Sequence, residues 1–423
     1  MLRRRRKLVI LAAALLLLLG GGAAAAYLIV NRPVADVHNG ANSPFTSQPE
    51  PTTSTPSTST GHSADFGPAW PMYGLDPAHN RDASELTAIK PPFATVWKRR
   101  GHGVLEYPPT YANGVLYEAS DSGVLVAYRS GTGELLWQHR FVKVLNQPAY
   151  YHGRIYFGSY DQNVYALDAA TGKVIWKHSI GTAMESPPTV AFGRIYMGGL
   201  DGTVRAMDWQ TGRVLWTYRA SGAVKGSVSL AGGRLYFGDY SGAMYCLNTN
   251  GNLVWRTATH GLSSGFRSGT FYSTANVRYG RVYIGNTDGK IYSFVASSGR
   301  IAWSHTIDGW VYGSPAVWNG MVFETGYDGT FQALDARTGD VRWSTRLPYI
   351  TTSSPTVIGN YVYVASHGAG ASGNQGNLWA YDPRTGRKVW HFPDGWYSTV
   401  VAAGLDRMVV AGPRALYMLR PKS

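Results

Sequence analysis

The sequence predicts an all-β fold: an eight-bladed β-propeller of four-stranded blades, closed by strands from both chain ends and preceded by one transmembrane helix. Three observations carry this reading. The phrase ALDAATGKVIW (166–176) recurs intact as AMDWQTGRVLW (206–216), ALDARTGDVRW (333–343) and AYDPRTGRKVW (380–390). Its closing tryptophan recurs at 97, 137, 176, 216, 255, 303, 343 and 390, mostly 39 or 40 residues apart, a period that means a propeller or solenoid. Finally, the two ends of the array are complementary. Residues 391–420 supply three strand-like runs and no fourth ending in Trp, whereas FATVW (93–97) is a lone fourth run with its Trp. Joined, they complete one blade, close the ring and remove the exposed sheet edges a linear stack would leave.

Within a repeat the grammar is constant. Residues 185–216 read ESPPTV, GRIYMGG, an Asp201-Gly202 turn, TVRAMD, a Thr211-Gly212 turn and RVLW, which is four short strands. Asp-Gly pairs, again at Asp288-Gly289 and Asp328-Gly329, suit two-residue type I′ hairpins. Runs such as RIYMGG lack polar/apolar alternation, as expected of strands covered on both faces by neighbouring blades. The 51 glycines and 28 tyrosines of this 423-residue chain fit many short strands joined by tight turns.

Ahead of the repeats the chain changes character three times. Residues 1–7, MLRRRRK, form a basic cap, and residues 8–30 are uncharged and mostly apolar. That length spans a bilayer core of about 30 Å, and the positive flank keeps the N-terminus cytoplasmic with the remainder extracytoplasmic. A cleaved signal peptide, with Ala24 and Ala26 at its site, is the competing reading. Residues 31–65 are a linker whose second half (PEPTTSTPSTSTGHS) is Ser/Thr/Pro-rich, expected to be an extended spacer. Residues 66–92 are an irregular lead-in expected to pack on the outside of the array, with blades over 93–420 inside a propeller domain of 66–423.

Charge and cysteine content narrow the function. The net charge is +14, of which +11 falls on residues 66–423. A basic ectodomain favours anionic neighbours such as cell-wall polymer or lipid headgroups. No Lys/Arg run within the repeats marks a nucleic-acid site. The single cysteine, Cys246, occupies a small-residue slot of its repeat and permits no intramolecular disulfide.

The phrase A-x-D-x-x-T-G-x-x-x-W resembles the tryptophan-docking motif of the pyrroloquinoline quinone (PQQ) repeat propellers, over about residues 66–420. The resemblance implies an eight-bladed ring in which Trp97, Trp137, Trp176, Trp216, Trp255, Trp303, Trp343 and Trp390 wedge between neighbouring blades. Three copies depart: the first has Arg129 for Asp, the fourth is one residue short, and the fifth has Ser293 and Val295. Those blades are expected to dock less regularly. The superfamily holds both quinoprotein dehydrogenases and non-catalytic scaffolds of outer-membrane assembly, so fold alone does not give function.

The register points to a candidate site. Nine residues past each Trp lie Glu106, Asn146, Glu185, Lys225, Tyr312 and Thr352, with Arg267 and Tyr397 as counterparts in the two irregular blades. This ring is expected at the mouth of the central channel, where wet polar side chains need no ligand and a small molecule or peptide also fits. Glu106, Asn146 and Glu185 are oxygen donors for a cation; Lys225 and Arg267 suit a carboxylate or phosphate. His139, His178 and His305 each lie two residues past a repeat Trp and are read as packing residues, not a metal cluster. Two insertions, 257–279 and 366–376, break the period, and such loops on a rigid array commonly carry specificity.

These readings lead to a membrane-anchored, extracytoplasmic binding or scaffold module of a bacterial envelope. No catalytic residues, metal or cofactor are assigned. The expected partner is an envelope protein or an anionic cell-wall polymer, and the propeller is expected to be monomeric. The alternative is a divergent quinoprotein oxidoreductase using PQQ and calcium. A single cysteine cannot form the adjacent pair typical of its alcohol dehydrogenases, and no CxxCH haem site is present.

Overall fold

The computed structural model describes residues 35–47, 69–144, 146–259, 269–307, 309–367, 376–395 and 400–422. The basic cap (1–7), the apolar run (8–30), Arg267, Tyr397 and most of the second insertion (368–375) lie outside them. No helix among the described residues is long and apolar enough to cross a membrane.

Eight sheets follow one another around a ring, each built on a four-stranded antiparallel meander that runs in chain order in blades 1 to 7. Blade 3 is representative: Thr189–Ala191, Arg194–Gly198, Thr203–Asp208 and Val214–Arg219 run from the channel outward. Most consecutive innermost strands touch one another around the axis. Blade 8 joins Val400–Ala402, Met408–Ala411 and Ala415–Pro421 to Phe93–Arg100, with Trp97 opposite Met418. The ring therefore closes through hydrogen bonds between the two ends of the array, and neither end strand is left as a free edge.

The core lies between blades rather than within them. One apolar cluster combines Tyr117, Leu125 and Trp137 of blade 1 with Ile155, Phe157 and Leu167 of blade 2, and further clusters repeat this arrangement around the ring. Middle strands are accordingly buried on both faces, as in Arg194–Gly198 and Thr203–Asp208.

Seven of the repeat tryptophans dock in one way. The Trp176 indole N–H donates to the carbonyl of Trp209, at the start of the next blade's Thr-Gly turn (3.3 Å). Gly212 closes that turn at φ +73°, where a Cβ would lie 2.7 Å from the Trp176 ring. Only a residue without a side chain satisfies both demands. The three departing turns dock as regularly as the rest. Trp97 reaches Ser130 O at 2.7 Å, Trp216 reaches Thr249 O at 2.9 Å and Trp255 reaches Ala296 O at 2.9 Å. The acceptor is a backbone carbonyl and the platform a glycine, so losing the Asp or one residue leaves the contact intact. Where Asp is present it shapes the turn instead, as when Asp168 accepts from Thr171 N and Oγ1 (2.8 and 2.7 Å). Trp390 faces blade 8, which has no such turn, and packs edge-on against Phe93 at 5.0 Å.

Part of the segment read as linker is docked. Residues 35–47 lie along the outer edge of blade 5, where Val37 O accepts from Ser304 N (3.0 Å) and His38 bridges to Trp303. Asp36 pairs with Lys290, and Phe45 stacks on Tyr279 at 5.3 Å. In blades 2 and 4, Arg154 and Arg234 donate to turn carbonyls in the next blade. In blade 5 the equivalent Arg281 instead takes the Gly40 and Ser43 carbonyls (3.1 and 3.0 Å). This strap buries Trp303 completely, whereas Trp176 stays half-exposed. Trp303→Ala should therefore cost about 3–5 kcal/mol and Trp176→Ala clearly less, as read by denaturant unfolding; equal costs would deny the strap a role in that packing.

The lead-in does not pack on the outside of the array. Residues 70–83 thread across the channel against the innermost strands. Trp70 exchanges backbone hydrogen bonds with Tyr111. The Pro71, Pro77, Ala78, Asn80 and Arg81 carbonyls accept from Tyr150, Leu230, Val277, Val317 and Val357. Asp82–Ala83 then pairs in parallel with Thr356–Ile358, as a fifth strand of blade 7. The plug is thus bonded through backbone to blades 1, 2, 4, 5, 6 and 7, and His79 reaches Thr189 of blade 3. Several of its polar groups pair with the innermost strands: Asn276 Nδ2 donates to the His79 and Asn80 carbonyls (3.1 and 3.0 Å), and Asp82 pairs with Arg278 at 2.6 Å. Burial pushes the His79 imidazole down to about 4, so it is neutral within the plug near pH 7.

Candidate functional site: a plugged channel mouth

The plug turns the channel mouth into a cup. Its cavity is about 420 Å³, with Tyr73 and Arg81 contributed by the plug. Tyr73 Oη lies within hydrogen-bond distance of Ser314 and Ser354 Oγ (3.0 and 3.1 Å). Arg81, 2% exposed, holds its guanidinium 4.4 Å over the Tyr73 ring and donates to Thr356 Oγ1 at 3.2 Å.

Five of the eight ring positions, Glu106, Glu185, Lys225, Tyr312 and Thr352, line this cavity. Asn146 does not border it. Asn146 is buried and donates to the Gly158 and Met184 carbonyls (2.9 and 3.4 Å), bonding blade 2 to the loop that enters blade 3. Arg267 and Tyr397 are outside the described residues.

The lining has two unlike walls. On the side of blades 1 to 4 stand Glu106, Glu185 and Lys225. Lys225 pairs with Glu185 at 2.9 Å and sits 5.1 Å from both the Tyr240 and Tyr272 ring centroids, and Tyr160 donates to Glu185. The Lys225 ammonium is held above its ordinary pKa: burial opposes this, but the Glu185 hydrogen bond and nearby acidic groups outweigh it. Glu106 is exposed and lines the cavity. Desolvation within the cup raises its carboxyl pKa, with Asp121 and Glu185 adding to the rise.

Blades 5 and 6 present an aromatic wall, which meets the polar one where Tyr272 flanks Lys225. Tyr272 packs edge-on against Tyr312 at 5.3 Å, Tyr312 against Trp310 at 5.8 Å, and Trp310 lies 5.6 Å from Tyr327. Tyr272 is 39% exposed and the other three are half-buried. Edge-to-face packing fixes the rings while leaving ring surface toward the cavity.

Sequence reasoning missed Tyr73, Arg81, Tyr107, Tyr272, Trp310, Tyr327 and His367. A second register would have found Tyr327. The residue before the turn between strands two and three recurs as Tyr160, Tyr240 and Tyr327, beside Glu185, beside Lys225 and in the aromatic wall. His367, at the root of the 366–376 insertion, also lines the cavity.

The other residues singled out are structural. Cys246 is buried in the core of blades 4 and 5, and burial pushes its thiol up to about 12. His139 packs beside Trp137 near Gly172, and His305 lies within hydrogen-bond distance of Gln332 at 3.0 Å.

Comparisons with known proteins agree with this architecture. No curated protein matches the chain. The crystal structure of BamB from Moraxella catarrhalis superposes with a TM-score of 0.66 at 18% identity, covering 78% of this chain and 100% of that one. Quinohemoprotein alcohol dehydrogenase from Comamonas testosteroni gives 0.71 at 15% identity, covering 84% and 81%. The computationally designed Ika8 protein gives 0.66 at 15%, covering 77% and 99%. At these identities the likenesses establish the fold alone. A family model described as outer membrane protein assembly factor BamB matches residues 82–170, 144–268 and 248–394. Those matches span well over half of the sequence, and the chain belongs to that family.

Proposed function

We propose that the chain is a membrane-anchored, extracytoplasmic propeller that binds an envelope component through the cup and carries out no chemistry on it. The carrying observation is the cup: a channel plugged on one side and lined by an aromatic wall and a polar one. The basic cap and apolar run of residues 1–30 support the anchor, and with the strap at 35–47 docked on blade 5, only residues 31–34 separate that run from the propeller. Membership of a family named for an assembly factor favours binding over turnover.

The likeness to a quinohemoprotein dehydrogenase keeps an oxidoreductase as the second reading. The residues present fit PQQ and calcium poorly. Among the described residues no three His, Cys, Asp or Glu side chains are grouped to hold a metal ion. Glu185 is engaged by Lys225 and Tyr160, Arg81 by Tyr73 and Thr356, and the one cysteine is in a blade core. No step is derived through the quinone.

Immobilised protein and a Trp310→Ala/Lys225→Met variant, exposed in parallel to envelope extracts, test the binding reading. A component retained by the native protein and lost from the variant is the expected result. Equal retention by both would place recognition elsewhere on the molecule.

A further inference from the structure

We propose that the cup binds an uncharged saccharide, seating a pyranose ring between the aromatic wall and Glu106. The inference rests on the cup being the binding site. It adds the chemical class of ligand.

Three features point to this class. The first is the pairing of walls. A pyranose has a C–H face that stacks on aromatic rings and a girdle of hydroxyls that need donors and acceptors. Trp310, Tyr312 and Tyr327 offer ring surface on blade 6, and Glu106 offers acceptors across the ring. Among the described residues Glu106 has no ion-pair partner, so its carboxyl is available to hydroxyls.

The second feature is charge. The cavity is lined by Arg81 and Lys225 against Glu106 and Glu185. Both cations are already committed, Lys225 to Glu185 and two tyrosine faces, and Arg81 to Tyr73 and Thr356. An anionic group would enter without a cation of its own. A ligand ammonium would compete with Lys225 for the cation–π position already filled. A neutral polyol meets neither penalty.

The third feature is the backbone. Extended peptides are commonly held by adding a strand to a free sheet edge. Here the innermost edges of blades 1, 2, 4, 5, 6 and 7 already hydrogen-bond to plug residues 70–83. Recognition in the cup is therefore left to side chains, which suits a compact ring better than an extended chain.

Isothermal titration of the purified protein with maltotetraose, cellotetraose and an N-acetylglucosamine tetramer tests this, alongside the extract capture described above. Sub-millimolar binding of at least one is expected. Trp310→Ala should weaken it about tenfold or more, as loss of a central aromatic anchor commonly does, while Leu405→Ala, an exposed residue that does not line the cavity, should leave it unchanged. Unchanged thermal unfolding of both variants confirms that the ring is intact. If no saccharide binds but a captured protein is lost on Trp310→Ala, the saccharide class is overturned and the cup reading survives. If saccharides fail and capture is unaffected by Trp310→Ala, both are overturned. Saccharide binding that is insensitive to Trp310→Ala would also overturn the proposal.

Discussion

Glu118→Met should stabilise the protein by about 4 kcal/mol at pH 8 and by far less near pH 4. Glu118 is the fourth residue of the second strand of blade 1, where blades 2, 3 and 4 place Phe157, Met197 and Phe237. It is 2% exposed, and its Oε2 has no hydrogen-bond partner. Burial raises its carboxyl to about 8 from an ordinary 4.5. Because the folded pKa lies above the unfolded one, the linked stability is fully present below about pH 4.5. It is lost as pH climbs toward 8, where the unfolded chain releases a proton that the folded chain retains. A displacement of this size corresponds to about 4–5 kcal/mol. The methionine of blade 3 fills a similar volume and carries no proton to release. Urea unfolding of both proteins across pH 4–9 checks this: the native slope with pH should flatten in the variant. Parallel pH curves would mean that Glu118 is paired or hydrated. Glu324, the equivalent residue of blade 6, is also fully buried and raised by burial despite accepting from Thr325 N at 2.9 Å, so some pH dependence should remain.

Removing the plug should have a comparable or larger effect. A chain beginning at residue 84 loses the backbone hydrogen bonds to blades 1, 2, 4, 5, 6 and 7, the Asp82–Arg278 pair and the Arg81 contacts. It also exposes donors on the innermost strands that the plug satisfies. At about 1 kcal/mol net for each of six or more lost hydrogen bonds, the cost is at least about 6 kcal/mol, or a fall in Tm on the order of 10 °C. A shorter deletion ending at residue 47 keeps the plug and should fall by much less. Equal melting of the two truncations would show that the channel is stable without residues 70–83.

The parts that were legible in the sequence are those the repeat writes many times. Eight tryptophans at one period set the blade count, and the unmatched FATVW at 93–97 revealed how the ring closes. The same register placed Glu106, Glu185, Lys225, Tyr312 and Thr352 at one cavity. It failed at Asn146, because spacing places a backbone position but cannot say whether a short amide turns to the channel or to a neighbouring carbonyl. The plug is written once, without period. WPMYGLDPAHNRDAS carries Asp76, His79, Asn80 and Arg81, and it reads as an irregular lead-in on the outside of the array. In the structure Asp76 accepts from Asn80 (3.2 and 2.9 Å), His79 is within reach of Thr189 at 3.2 Å, and Arg81 lies over Tyr73. Polar residues packed against one another inside a channel have the composition of a surface. The strap is hidden for a related reason, since its contacts with blade 5 depend largely on backbone carbonyls that Arg281 and Ser304 happen to reach.

The central proposal is that this propeller binds and does not oxidise. The most direct test is to reconstitute the purified protein with PQQ and calcium and follow dye-linked oxidation of primary alcohols and aldoses. The account predicts no turnover above that of the Trp310→Ala/Lys225→Met variant. Oxidation that depends on added quinone and is abolished in that variant would contradict it and make the cup an active site.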